Sequence, residues 1–183
     1  AQPGFSLRRG LPSPRRPPYS PLHMTPGQPA PDFDALDQNG ARHRLSDYRG
    51  HWLALYFYPR DDTPGCTKQA CSLRDHRAQL AARDVTVLGV SAQGAAAHRA
   101  FTGKYALNFP LLIDENMLIA RAYGALGSGP GGLLRRWLGA YRRISFLTGP
   151  DGRIAHIIDH PDVGRHGEEL LALLRTHKSI TGA

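Results

Sequence analysis

The residues of this chain best suited to chemistry are its two cysteines, Cys66 and Cys71. The apolar, aromatic run from 52 to 58 predicts a buried strand, and Thr63 can cap a following helix that has Pro64 at its first position. Cys66 would then lie in the first turn, where unpaired backbone N–H groups and the helix dipole favour the thiolate, the reactive form of a thiol. This arrangement predicts an accessible nucleophilic cysteine that attacks a compact substrate, with Cys71 as a candidate partner.

The spacing of the two thiols makes a separate prediction. On a regular helix, residues five apart have Cα atoms about 8.6 Å apart and about 140° apart around the axis. A disulfide needs a Cα separation below about 7 Å. If Cys66 and Cys71 pair, the first helical turns must therefore unwind, so the bond would act as a redox switch. Within the same segment, Thr63 could direct its hydroxyl at the sulfur or at a bound oxygen, Pro59 would stiffen the strand exit, and Gly65 would let a small ligand approach the backbone.

The elements around this segment predict an α/β fold with a mixed sheet. Residues 32–36 and 41–45, joined by Asp37-Gln38-Asn39-Gly40, indicate a hairpin with a type I′ turn. Further strands are predicted at 85–91, 144–147 and 154–158, the last two joined as a hairpin, and helices at 63–82, 94–105, 116–123 and 168–176.

Composition and charge exclude several classes of protein. With 183 residues, 41% of them hydrophobic, the chain suits one ordinary domain, and no apolar run approaches a membrane span. The net charge is +8, but residues 1–31 carry four arginines and no acid, which leaves 19 basic and 15 acidic residues in the remainder. Because the body is only mildly basic, we expect neither nucleic-acid nor membrane binding.

The amino-terminal segment has a different composition from the rest. Nine of the 15 prolines precede Asp32, arginine pairs are interspersed, and apolar periodicity is absent. We therefore predict a disordered segment at 1–28 and a folded domain at 29–183. The segment resembles an organelle transit peptide in composition, although added sequence or translation begun upstream of Met24 is the simpler explanation.

The motif around the cysteines resembles the peroxiredoxins. Pro59-x-x-x-Thr63-x-x-Cys66 matches their active-site pattern, and the string from Asp61 to Thr67 followed by Cys71 is similar to the bacterioferritin comigratory protein (peroxiredoxin Q) group. The likeness continues through the strings 29–33, 109–114, 122–124, 143–147 and 151–154, and covers about residues 29–175.

This resemblance implies a thioredoxin-like fold, with a mixed central sheet flanked by helices and an N-terminal β-hairpin, and thiol-dependent reduction of hydrogen peroxide and organic hydroperoxides. Cys66 would be the peroxidatic cysteine that becomes a sulfenic acid, and Cys71 the resolving cysteine. Thr63 would orient the peroxide, Arg143 would stabilise the thiolate and polarise the O–O bond, and Pro59 would shield the sulfenate. Thioredoxin or a similar dithiol protein would reduce the intrachain disulfide.

The resemblance also implies no metal and no organic cofactor. We expect a monomer or weak dimer in the cytoplasm, or in an organelle with a thioredoxin system if residues 1–28 are a transit segment.

Two departures from the family pattern stand out. Gln69 lies where many members carry glutamate, and Thr148-Gly149 replaces the usual Ile-Asp pair. The stretch 127–139, where the family varies, is most simply a solvated loop, although it could cover the site or form a partner surface.

Alternatives remain open at the level of sequence. The thiols could be inert core cysteines, and Arg142 competes with Arg143 for the electrostatic role. A thioredoxin-fold copper-delivery protein would space its thiols by three residues, and a thiol–disulfide oxidoreductase would normally show CxxC. The histidines at 156, 160 and 166 share a neighbourhood but lack any motif typical of a metal site.

Overall fold

A computed structural model of the protein describes residues 24–127 and 141–180, with side chains as far as 176. The strands are β1 (Asp34–Leu36), β2 (Arg42–Arg44), β3 (Trp52–Phe57), β4 (Val85–Ser91), β5 (Leu111–Ile113), β6 (Ile144–Thr148) and β7 (Ile154–Ile158). The helices are α1 (Pro64–Asp75), α2 (Arg77–Ala81), α3 (Ala95–Tyr105), α4 (Leu118–Ala122) and α5 (His166–Ile180), and one 3₁₀ turn spans Leu45–Tyr48.

The central sheet is mixed, as the sequence predicts. Its five strands lie in the order β5-β4-β3-β6-β7, with β3, β4 and β5 parallel and with β6 and β7 antiparallel to their neighbours. In the pairing of β3 with β6, Phe57 lies opposite Ile144. The residue that precedes β6 therefore lies at the same edge of the sheet as the loop that follows β3.

Alternate residues of β3 pack against opposite faces of the sheet, because successive side chains of a strand point to opposite sides. Leu53, Leu55 and Phe57 belong to a core that includes α4 and the segment before β1. Ala54 and Tyr56 belong to a second core, which is shared with α1, α3 and α5. Cys66 is part of this second core.

The predicted N-terminal hairpin is present as a separate two-stranded sheet, but its predicted type I′ turn is wrong. That turn needs positive φ at both central residues, whereas Gly40 has φ +83° and Asn39 is not in the left-handed region. The Asp37 carboxylate instead accepts hydrogen bonds from the N–H groups of Asn39 and Ala41, at 2.8 and 2.9 Å. The loop is consequently a wider turn closed by this side chain.

The helix predicted to run from 63 to about 82 is divided at His76. Its backbone leaves helical geometry there, with φ −97° and ψ 3°, and its Nδ1 donates to the Ser72 carbonyl at 2.8 Å. The ring lies against Gly167, where an added Cβ would come within 2.6 Å of it. The break in the helix therefore coincides with a contact to α5, and no glycine or proline in the sequence marks it.

The remaining differences concern one strand that the sequence did not predict, β5, together with element ends and the limits of description. The helix predicted at 116–123 spans only Leu118–Ala122, and that predicted at 168–176 spans His166–Ile180. Gly27 donates its backbone N–H to the Ile154 carbonyl at 2.7 Å, so the last residues of the predicted disordered segment contact β7. Its residues 1–23, and most of the stretch 127–139, lie outside the described residues.

Among the described residues, no helix is both long and apolar enough to cross a membrane.

Candidate active site

Cys66 lies in the first turn of α1, as the sequence predicts. Thr63 is the N-cap and Pro64 the first helical residue, so Cys66 is the third. The residue is only 1% exposed, because this turn packs onto the sheet face formed by Tyr56 and Tyr58. The expectation of an accessible thiol is thus wrong for this structure.

Arg143 provides the positive charge at the sulfur. Its Nη2 lies 3.3 Å from the Cys66 Sγ, and its Nη1 donates to Gln69 Oε1 at 2.6 Å. Arg142, the competing candidate, faces elsewhere and forms an ion pair with Asp159. A guanidinium held in this way favours the thiolate through charge and through hydrogen bonding.

Gly65 leaves the space that Arg143 occupies. A Cβ built on Gly65 would lie 3.1 Å from Arg143 Nη2, closer than an ordinary van der Waals contact. The sequence predicts close approach of a ligand at this glycine, and the group that approaches is the guanidinium.

Thr63 and Pro59 flank the cysteine on the loop between β3 and α1. The Thr63 hydroxyl donates to the Arg60 carbonyl at 3.1 Å, so its proton is engaged and its lone pairs can accept a hydrogen bond. Pro59 is half-buried at the strand exit. Both residues precede the first turn of α1, and their predicted roles stay predictions.

Cys71 lies on the same continuous helix, about two turns after its start. Both cysteines are free thiols. Cys71 is half-buried, whereas Cys66 is buried. Because helical geometry keeps their Cα atoms about 8.6 Å apart, this structure corresponds to the reduced protein, before any bond between them.

Unpaired polar atoms accumulate around the first half of α1. Gln69 Nε2, Thr67 Oγ1 and Tyr56 Oη are buried and have no hydrogen-bond partner within the described residues. Burial raises the pKa of Tyr56 well above its usual range, with the Cys66 charge adding to the effect. Sequence reasoning missed Tyr56, whose place in an apolar strand gives no sign of a nearby thiol.

His166 is a second residue that sequence reasoning did not place at the site. It is fully buried, with Nε2 3.0 Å from the Ser145 hydroxyl and Nδ1 3.0 Å from Glu169. Burial lowers the pKa of His166, the hydrogen bond with Glu169 opposes that shift, and the Arg143 charge lowers it further. Burial thus favours the neutral form of the histidine, which lies beneath the same face of the sheet as Cys66.

Metal-ligating side chains are dispersed in the described part of the chain. No group of three or more His, Cys, Asp or Glu residues there lies close enough to hold a metal ion.

Comparisons with known proteins agree with this geometry. The AhpC/TSA family model matches residues 26–157. Peroxiredoxin Bcp of Escherichia coli is 37% identical over 151 residues, which cover 82% of this chain and 96% of that protein. Peroxiredoxin Bcp of Bacillus subtilis is 36% identical over 151 residues, covering 81% and 94%.

Solved structures give the same assignment. A PrxQ structure from Xylella fastidiosa superposes with a TM-score of 0.77 at 29% identity, covering 85% of this chain and 98% of that one. The thioredoxin-like fold predicted from the sequence is thus confirmed. A thiol in the first turn of a helix, a guanidinium on its sulfur and these relatives lead to one assignment: the chain belongs to the AhpC/TSA family and is a peroxiredoxin of the Bcp/PrxQ group.

Proposed function

We propose that this thiol-dependent peroxidase uses Cys66 as its peroxidatic cysteine and Cys71 as its resolving cysteine. The observation that carries the proposal is the 3.3 Å contact between Arg143 Nη2 and the sulfur in the first turn of α1. The contact supplies a positive charge to the group that must be a thiolate in order to react.

The first step transfers one oxygen atom. The Cys66 thiolate attacks the terminal oxygen of a hydroperoxide, the O–O bond breaks, and the products are a sulfenic acid and an alcohol, or water from hydrogen peroxide. Negative charge moves from sulfur to the leaving oxygen, which takes up a proton. Arg143 stabilises both ends of this transfer in the proposed mechanism, and Thr63 accepts a hydrogen bond from the peroxide.

The second step forms the intrachain disulfide. The Cys71 thiolate attacks the Cys66 sulfenic sulfur, and the sulfenic hydroxyl leaves as water after taking up a proton. A dithiol protein of the thioredoxin kind then returns both residues to thiols, which places the enzyme in a reducing compartment such as the cytoplasm.

The disulfide requires local unwinding of α1. Several contacts hold the helix beyond Cys71: the Gly167 N–H donates to Ser72 Oγ at 3.1 Å, and Arg74 Nη1 donates to the Tyr105 carbonyl at 2.6 Å. The unpaired polar atoms of Thr67 and Gln69 lie before Cys71 and gain water when that part opens. We therefore expect opening to be confined to the first two turns.

The decisive experiment treats the wild type and Cys71→Ser with one equivalent of hydrogen peroxide and measures intact mass and free thiols. The wild type should lose the mass of two hydrogen atoms, and the variant should gain one oxygen atom. Unmodified thiols in both proteins would overturn the assignment, and a stable sulfenic acid in the wild type would remove Cys71 from the resolving role.

Hydrogen exchange tests the unwinding. In the oxidised protein, amides of residues 67–75, which bond to the carbonyls of residues 63–71 in the helix, should lose protection. The amides of His76 and Leu80, which bond to the carbonyls of Ser72 and His76, should keep it. Full protection throughout α1 would show that the disulfide does not form as proposed.

A further inference from the structure

The loop that carries Thr63 into α1 is attached to the rest of the protein by a buried cluster around Asp61. Asp61 Oδ2 lies 2.7 Å from His98 Nδ1, and its Oδ1 accepts from the Tyr58 hydroxyl at 2.7 Å. The side chains of His98 and Asp61 are 0% and 7% exposed. The Asp61 backbone N–H donates to Gln93 Oε1 at 3.2 Å.

A carboxylate this deeply buried needs its donors. Removing one partner of a buried charge leaves that charge unpaired, which is strongly destabilising. Because Asp61 lies on a connecting loop, the chain can relieve the penalty by letting Asp61 swing into water. Loss of the His98 donor should therefore displace the loop while α3 stays folded.

Displacement at Asp61 would reach Thr63 directly. The next residue, Asp62, has φ +55°, a left-handed conformation that a non-glycine residue adopts only when its surroundings impose it. Its carboxylate bonds to Lys104 Nζ at 2.7 Å and Tyr105 Oη at 2.5 Å, again on α3. The two consecutive carboxylates thus fix the backbone to α3 immediately before the N-cap.

We propose that His98 is a positioning residue for the oxidation of Cys66, acting through Asp61 to hold Thr63 and the first turn of α1 in place. The inference rests on the proposed function of Cys66 and adds to it a residue that contacts neither the sulfur nor the peroxide. His98 acts by donating through Nδ1 to the carboxylate.

The second ring nitrogen of His98 supplies a discriminating test. Nε2 lies 3.3 Å from the Leu112 carbonyl, so it can tie α3 to β5 without involving the loop. An asparagine at position 98 places an amide N–H near Nδ1, and a glutamine places one near Nε2. The pair of variants therefore separates attachment of the loop from attachment of the helix.

The experiment measures the second-order rate constant of Cys66 oxidation by hydrogen peroxide, from sulfenic acid formed in a Cys71→Ser background, together with the melting temperature. His98→Gln should lower the rate constant at least tenfold, whereas His98→Asn should keep it within about threefold of the parent. Tyr58→Phe, which removes only one donor to Asp61, should slow oxidation severalfold.

A matched control comes from the N-terminal hairpin, where His43 Nε2 lies 3.3 Å from Asp37 Oδ2 in a similar pair that belongs to the two-stranded sheet. His43→Asn should leave the oxidation rate unchanged.

Three outcomes would overturn the proposal. The first is an oxidation rate equal to that of the parent in both His98→Gln and Tyr58→Phe. The second is an oxidation rate close to that of the parent in His98→Gln together with a slow rate in His98→Asn. A fall in rate that only follows melting temperature across all variants would assign His98 a purely structural part. If the parent itself fails to form sulfenic acid, the proposed function fails, and that result is distinct from any difference among the variants.

Discussion

Replacement of Gln69 by glutamate tests how the charge of Arg143 is shared. Gln69 is fully buried and accepts from Arg143 Nη1 at 2.6 Å, while Nη2 of the same guanidinium lies 3.3 Å from the Cys66 sulfur. The amide is neutral, so the only charge beside the thiolate in this trio is positive. A carboxylate at position 69 would pair with Arg143 and place a negative charge on the far side of the guanidinium.

The expected size of the effect on the Cys66 thiolate follows from these contacts. They put the carboxylate and the sulfur about 6 Å apart, where the repulsion is about 0.7 kcal/mol in water and about 3 kcal/mol at an effective dielectric constant near 20. Since about 1.4 kcal/mol corresponds to one pH unit, Gln69→Glu should raise the midpoint pH of Cys66 thiolate formation by about 0.5 to 2 units.

The assay is ultraviolet absorbance of the thiolate against pH, in a Cys71→Ser background so that one thiol titrates. Gln79→Glu is the matched control, because it makes the same chemical change on an exposed face of α2. A midpoint in Gln69→Glu within 0.2 units of the control would refute the reasoning, since it would mean that the charge on Arg143 alone decides the state of the sulfur.

Two further predictions concern the same region. Gly65→Ala should push Arg143 by a few tenths of an ångström and slow the oxidation of Cys66 by peroxide severalfold. Its control is Gly103→Ala, in an α3 position open to solvent, which should leave the oxidation rate unchanged and stabilise the helix by about 0.5–1 kcal/mol. Equal oxidation rates in the two variants would contradict this prediction. Burial lowers the pKa of His166 in the folded protein, so the unfolded chain binds a proton at this residue first as the pH falls below about 6.5. The contribution of His166 to the free energy of unfolding should therefore be fully present above that pH and decline below it. Because His166→Asn keeps a donor toward Glu169 without titrating, its melting temperature should fall less between pH 7 and 5, and identical pH slopes in the two proteins would show that His166 is not responsible.

Sequence alone placed Cys66 in the first turn of α1 because its signals are local. Thr63 and Pro64 mark a helix start, Cys66 follows within one turn, and the spacing to Cys71 fixes what a regular helix permits. Six of the seven described strands were equally visible in the sequence, since alternation or a run of apolar residues within each segment predicts them, whereas the three-residue strand β5 was not predicted. The choice of Arg143 over Arg142 came from the resemblance and its register to later residues, and the structure brings Arg143 to the sulfur.

What the sequence could not show depends on contacts between distant segments. His98 and Asp61 are 37 positions apart, and the sequence around each residue does not indicate a buried pair. The break at His76 involves the contact with Gly167 on α5, which local propensity cannot register. The burial of Cys66 likewise follows from the packing of α1 on the sheet, whereas the helix start by itself suggested exposure.

The mixed direction of the sheet explains why an arginine 77 positions away meets the first turn of α1. The chain leaves β3 at its carboxyl end and starts α1 there, as it would in a wholly parallel sheet. Because β6 is antiparallel to β3, with Ile144 opposite Phe57, the residues that enter β6 lie at that same edge. A parallel strand in this position would present its exit there, and its entering residues would lie at the far end of the sheet. The reversal of one strand therefore brings a cation to the helix start, and Gly65 leaves the space in which it reaches the sulfur.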